Sequence, residues 1–419
     1  MHSRSSSTVA AAEWRQNWAL VLASAFGFSL HSLSSYSLGL FMEPLGQEFG
    51  WARAEISMVS VIPGVLMVLL SPALGAIIDR WGCRRLAVPS IALTGGSIAV
   101  AGLANGAMSQ WMLIWLVYGL VSLGVKTTVW TTAISGAFVA GRGLALGVTL
   151  TGTALAQIAV PPLAQWLIDD FGWRQAYIWL GIGWSIPCFI LAVFFLYDSK
   201  DRARLTSSDA TKTPEAHVAQ AGLTLKEALR SRPLQRVGIS TLLTMFIGTA
   251  ILIHQVPILT SGGISRQDAA WLASLSGAAG VVGKLATGWM TDRWDAATIG
   301  VVSLTVPAIA YWMLIDENRS VVATIIAMMI IGYTTGSKLQ ISAYLTAQYA
   351  GMRHYGKVFG MMTSLIGIGG GLGSVGAGAV FDMFGDYRPL LMFGIASSFI
   401  CGGLLFRLGR YPDWTTVRS

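Results

Sequence analysis

Twelve apolar runs, each close to the length that crosses a bilayer, leave this chain few folds to adopt. Lipid offers no partner to a backbone N–H or C=O, so a spanning segment is either a helix or a strand of a closed barrel. About 20 apolar residues suit a helix, whereas a barrel strand needs only about 10. The runs lie at 17–41, 56–78, 86–105, 110–137, 144–169 and 176–197, then at 236–260, 269–291, 297–315, 320–348, 356–382 and 389–408. Charged residues make up 11% of the 419 and hydrophobic ones 54%, whereas a soluble domain carries about 25% charged residues. The expectation is an all-α protein of twelve transmembrane helices embedded in a lipid bilayer.

The net charge of +8 does not mark a nucleic-acid binder, because the basic residues sit in short gaps between runs. That is the positive-inside pattern. Arg80, Arg84, Arg85, Arg142, Arg293, Arg353 and Lys357 fall on the side of both termini, while Arg53, Arg174, Arg266, Arg319 and Arg388 are left for the other. Both termini are therefore expected in the cytoplasm, and the short loops suit a bacterial inner membrane. The polar start leads directly into the first run, which is expected to direct insertion itself. The long polar stretch divides the chain into a bundle at 1–197, a linker at 198–235 and a bundle at 236–419. Within the linker, Thr224 and Glu227 have the spacing of a capping box ahead of a short helix.

The two bundles repeat one another. Gly75-Ala-Ile-Ile-Asp79-Arg80-Trp81 recurs as Gly288-Trp-Met-Thr-Asp292-Arg293-Trp294, and Phe171-Gly172-Trp173-Arg174 is echoed by Phe384-Gly385-Asp386-Tyr387-Arg388. The displacement is about 213 residues in each case. Two pseudo-symmetric six-helix bundles are a transporter architecture.

Gly75…Asp79-Arg80-Trp81-Gly82-Cys83-Arg84-Arg85, between the second and third runs, resembles the G-x-x-x-D-R-x-G-R-R loop of the major facilitator superfamily. The resemblance implies the major facilitator fold, with a gating role for Asp79, Arg80 and Arg84 and for Asp292 and Arg293 in the second copy. There, Asp295 and Ala296 stand in place of the glycine and the basic tail. Within the superfamily the chain resembles the monocarboxylate transporter and oxalate–formate antiporter branch, since Lys284 stands where that branch has arginine. It departs from the branch at Ser34–Ser37, where mammalian members have a lysine, and at Gly280, where an acid precedes the arginine. The fold also implies that the first, fourth, seventh and tenth spans line a central pathway.

Lys126 in the fourth run and Lys338 in the tenth lie too far from the run ends for easy snorkelling. A charge at membrane depth costs about 2.5–3.5 kcal/mol on insertion scales and marks a functional site. All twenty carboxylates fall in loops, the linker, the tails or span ends. Buried charges are normally paired, so these lysines call for an anionic ligand, most simply a small organic carboxylate. Lys284 stands near the end of the eighth run and is placed with them. Tyr36 and Trp130 are candidate walls for the organic body, Trp130 standing one helical turn beyond Lys126. His31, His254 and Gln340 are candidate polar contacts, and the two histidines raise protons as a coupling ion.

The function expected is secondary active transport of a monocarboxylate or aromatic carboxylate by alternating access, with no catalysis and with the chain acting as a monomer. The alternatives are a hydrophobic-drug exporter, which would want an acid in the cavity, and a non-transporting sensor or membrane enzyme. No cofactor is implied. Gly371-Leu-Gly373-Ser-Val-Gly376 fits G-x-G-x-x-G but follows no strand, no phosphate-binding loop pattern occurs, and Cys83, Cys188 and Cys401 lack metal spacing.

Overall fold

A computed structural model of the chain describes residues 2–138, 141–197, 222–291, 293–316, 320–351 and 353–412. Nearly all of them are helical, and ten helices among them are long and apolar enough to cross a membrane. The ten and the twelve runs cover the same chain. The fifth and sixth runs follow one another within Gly152–Phe195, as two helices separated by the non-helical backbone of Gly172 (φ 78°, ψ 161°). The third run is the helix Cys83–Ala101, which Arg84 and Arg85 leave less apolar than the ten. Large apolar side chains stay exposed on many of these helices, among them Leu69, Phe194, Val302 and Trp312. Lipid accepts such surface where water would not.

The repeated motifs do repeated work. Gly172 turns the chain between the fifth and sixth runs, and its echo Gly385 (φ 69°) caps the helix Tyr355–Phe384 in the left-handed region that glycine adopts without strain. Gly82 (φ 88°) precedes the helix Cys83–Ala101. Its counterpart Asp295 reaches the same end by other means, because its carboxylate accepts from Thr298 N (2.8 Å) and caps the helix Ala296–Thr305.

The described residues fall into two compact units. The first takes in Met1–Pro44 and Val65–Lys212, the second Leu45–Gly64 and Thr213–Ser419. Residues 45–64, which include the start of the second run, therefore pack with the second half of the chain. In the first unit the helix Cys83–Ala101 and the helical stretch Gly152–Phe195 are close neighbours. In the second, the eighth-run helix Arg266–Thr291 and the tenth-run helix Val321–Ala350 approach backbone to backbone. A Cβ on Gly336 would collide with the Gly280 carbonyl, the close contact that small residues permit between membrane helices.

The capping box forms as its spacing predicts. Thr224 Oγ1 accepts from Glu227 N (3.4 Å), and Thr224 N donates to Glu227 Oε2 (2.7 Å). The helix it starts, Leu225–Arg230, is tied by Leu223 N to the Ala350 carbonyl (2.7 Å) at the end of the tenth-run helix.

Candidate functional site

The fourth run is not one helix. Met108–Val121 passes into a 3-10 turn at Ser122–Val125, Lys126 is extended (φ −76°, ψ 165°), and a new helix starts at Thr127 and runs to Ala137. A close approach to the third span sits at this break, where a Cβ on Gly124 would strike the Ser90 hydroxyl. Lys126 is only 8% exposed. Its Nζ donates to His31 Nδ1 at 2.9 Å. An accepting Nδ1 places the ring proton of His31 on Nε2, so a neutral imidazole, not a carboxylate, is the partner this ammonium holds. Interrupted membrane helices of this kind are where carriers expose helix ends and side chains to an ion.

Trp130 has a different place from the one its spacing suggests. Its indole N–H donates to the Val125 carbonyl (2.9 Å) and its ring is fully buried against Gly27. It satisfies a carbonyl released by the break and offers no surface to a ligand here. The i, i+4 relation to Lys126 presupposed an unbroken helix. Tyr36 is half-buried, and its hydroxyl has no hydrogen-bond partner among the described residues. His31 is also half-buried and stacks on Phe28 at 5.8 Å.

In the second unit Lys338 stands on the continuous helix Val321–Ala350. Its ammonium has no hydrogen-bond or ion-pair partner among the described residues. It lies against Gly248 of the seventh-run helix Arg232–Ile253, where a Cβ would sit 2.5 Å from Nζ. A small pocket lies beside it, lined by Thr244, Thr334 and Thr335 and by an apolar wall of Ile247, Ile251 and Leu304. No Asp or Glu is buried among the described residues. The Thr244, Thr334 and Thr335 hydroxyls donate to Cys401 Sγ and to the Ile330 and Ile331 carbonyls, so the ammonium is the donor left for an anion, with an apolar wall beside it for an organic body.

The remaining candidates lie elsewhere. Gln340 is half-buried with its amide nitrogen over Gly288 of the eighth span. Lys284 is half-buried on that span. His254 sits at a break in the seventh run between Ile253 and the helix Gln255–Ser261, where Pro257 cannot donate to the Ile253 carbonyl. It is fully buried, away from the residues lining the Lys338 cavity, and bonded to Tyr387 and Ser57. Of the gating candidates, Arg84 donates to the Val193 carbonyl (2.6 Å) and stacks over Tyr197 (4.0 Å). Arg293 stacks over Trp289 (4.4 Å), and Arg80 is exposed. The Asp79 side chain and all of Asp292 lie outside the described residues. Gly248 and the threonines around Lys338 carried no signal in the sequence, because small and hydroxylated residues are common in any packed membrane helix.

A family model described as the Major Facilitator Superfamily matches residues 24–315 and 239–417. Monocarboxylate transporter 11 of Mus musculus is 25% identical, across 94% of this chain and 87% of its own. The 4-hydroxybenzoate transporter PcaK of Pseudomonas putida is 25% identical, across 71% of each chain. Among solved structures, the bacterial homolog of the human lysosomal transporter Spinster, in its inward-facing, unoccupied conformation, superposes with a TM-score of 0.66. It shares 15% identity, and the match covers 93% of this chain and 94% of that one.

Proposed function

The chain belongs to the Major Facilitator Superfamily, and on that premise we propose that it is a secondary active carrier of a small organic anion. It is a multi-pass membrane transporter and not an enzyme. The substrate class we propose is a monocarboxylate or aromatic carboxylate, moved by alternating access. Lys126 in the first unit and Lys338 in the second are the anion-binding groups, with His31 beside the former and Tyr36 kept as a candidate wall. The unpartnered Lys338 ammonium beside a cavity free of acids carries this reading. The names of the mouse and Pseudomonas relatives, a monocarboxylate and a hydroxybenzoate transporter, support the same class. The positive-inside bias supports cytoplasmic termini, and a bacterial inner membrane is the proposed location. The gating role proposed for Asp79, Arg80, Arg84, Asp292 and Arg293 rests on the loop motif and its repeat.

The test is uptake into proteoliposomes from a panel of labelled carboxylates that includes lactate, benzoate and 4-hydroxybenzoate. Lys126→Ala and Lys338→Ala are expected to abolish saturable uptake while the protein still inserts. Normal uptake by both variants removes the basis of the proposal, and efflux of lipophilic cations indifferent to both lysines replaces it with a drug exporter.

A further inference from the structure

Residues 45–64 dock onto the second half of the chain through a network that leaves room for a single proton on one histidine. The short helix Arg53–Ser57 lies against the helix Tyr355–Phe384. The carboxylate of Asp382 accepts from the backbone N–H of Arg53 (2.9 Å) and of Ala54 (2.8 Å). The Arg53 guanidinium stacks over Phe381 at 3.5 Å and donates to the Tyr387 hydroxyl at 2.6 Å. That hydroxyl lies 2.7 Å from His254 Nδ1. On the far side of the ring, Nε2 is 3.1 Å from the Ser374 carbonyl and 3.0 Å from Ser57 Oγ.

The donors and acceptors admit one arrangement. The Ser374 carbonyl only accepts, so Nε2 carries the ring proton. Arg53 only donates, so the Tyr387 oxygen accepts from it and the phenol proton passes to Nδ1. A second proton on the ring would sit on Nδ1 and point at the phenol oxygen. Guanidinium and imidazolium would then share that oxygen, and the phenol proton would lose its acceptor. Asp382, the acid of the cluster, is already committed to the two backbone N–H groups. On the eighth-span side the neighbours are Gln255 and Ser276, both neutral and bonded to each other (3.0 Å).

We propose that His254 is a proton-binding site that controls this clamp: the docked segment requires a neutral ring, and protonation releases residues 45–64 from the second half. On the positive-inside reading the clamp lies at the outer face, where an external proton would reach it during transport. In that role the inference rests on the proposed carrier function. The clamp itself can be read without any substrate.

Linkage gives the sign and size. The docked state binds one proton fewer than the released state, so docking is favoured at neutral and alkaline pH and lost on acidification. With an ordinary imidazole midpoint of about 6.5 in the released state, the docked-to-released ratio falls about 100-fold between pH 7.5 and 4.5.

Ile56 is fully buried in the docked segment and Met58 is 45% exposed, so Ile56→Cys and Met58→Cys make a reporter pair. Both are placed in the full-length protein in proteoliposomes and labelled with a membrane-impermeant maleimide, without substrate. The three native cysteines are buried. Thiolate chemistry cancels in the ratio of the two rates. That ratio is expected to rise at least tenfold from pH 7.5 to 4.5, and to stay flat when His254→Gln is added. A rise below tenfold, or an equal rise with His254→Gln, overturns the proposal. Should His254→Gln not insert, Tyr387→Phe removes the oxygen that both cations would share, and it is expected to hold the rise below tenfold; an undiminished rise overturns the proposal as well. Loss of uptake in Lys338→Ala with normal pH-dependent labelling would separate the clamp from the anion site.

Discussion

Gly248→Ala is the sharpest probe of the Lys338 site, because the structure separates its effect on the fold from its effect on the charge. The added Cβ would sit 2.5 Å from Lys338 Nζ. Ordinary contact between such atoms is about 3.5–4.0 Å, so the ammonium must retreat by about 1 Å or more. Nζ ends a flexible chain, so the retreat costs the fold little, and replacing glycine by alanine inside a helix contributes up to about 1 kcal/mol in its favour. A carboxylate bound at the original position would lose a charge-assisted hydrogen bond of about 1.5–3 kcal/mol. At 1.4 kcal/mol per decade that is about a 10- to 150-fold rise in half-saturating concentration. The assay is proteoliposome uptake of whichever panel anion the parent protein takes up saturably, run beside thermal unfolding in detergent. The expected signature is weakened uptake with an unchanged or raised unfolding temperature. An unchanged half-saturation would refute the placement of the anion at Lys338. Weakened uptake together with a clear fall in unfolding temperature would show that the glycine serves packing instead.

Three further outcomes follow from the geometry. Trp130→Phe keeps the ring but orphans the Val125 carbonyl, and a loss of about 1–3 kcal/mol is expected in denaturant or thermal unfolding. Gly124→Ala is expected to destabilise by about 1–3 kcal/mol through its collision with Ser90, and Ser90→Gly in the same chain should restore most of the lost unfolding temperature. Asp295 lies outside the spans. Burial pushes its carboxyl up, but hydrogen bonds from Tyr411 and Thr298 outweigh this and hold it below the usual carboxylate range. A depressed carboxyl stabilises the fold above its unfolded value and ceases to do so as pH falls, so Asp295→Ala should lower the unfolding temperature at pH 7 and converge with the parent on acidification.

The apolar runs and the repeated motifs already describe the fold, because span length and the Lys and Arg distribution are set by the bilayer and leave their mark locally. Gly172 and Gly385 were legible as a pair and serve as one. The lysines were legible because a charge inside an apolar run is costly wherever it points. What surrounds them was not. The break at Lys126 coincides with a close contact to Ser90 in another span, and it turns Trp130 away from the face that helical spacing assigns to it. His254 read as a lone polar residue, because its partners Ser57, Ser374 and Tyr387 come from segments 120 to 197 positions away in the chain. The ring of hydroxyls around Lys338 is assembled from the seventh and tenth spans and has no linear pattern.

The bond between Leu223 N and the Ala350 carbonyl bears on how the protein could be divided. A two-fragment version, with each bundle made as its own polypeptide, should begin the second fragment ahead of Gly222. Starting it at the seventh span would discard Leu223 and the short helix after it, strip an amide partner from the last turn of the Lys338 helix, and leave that end to fray.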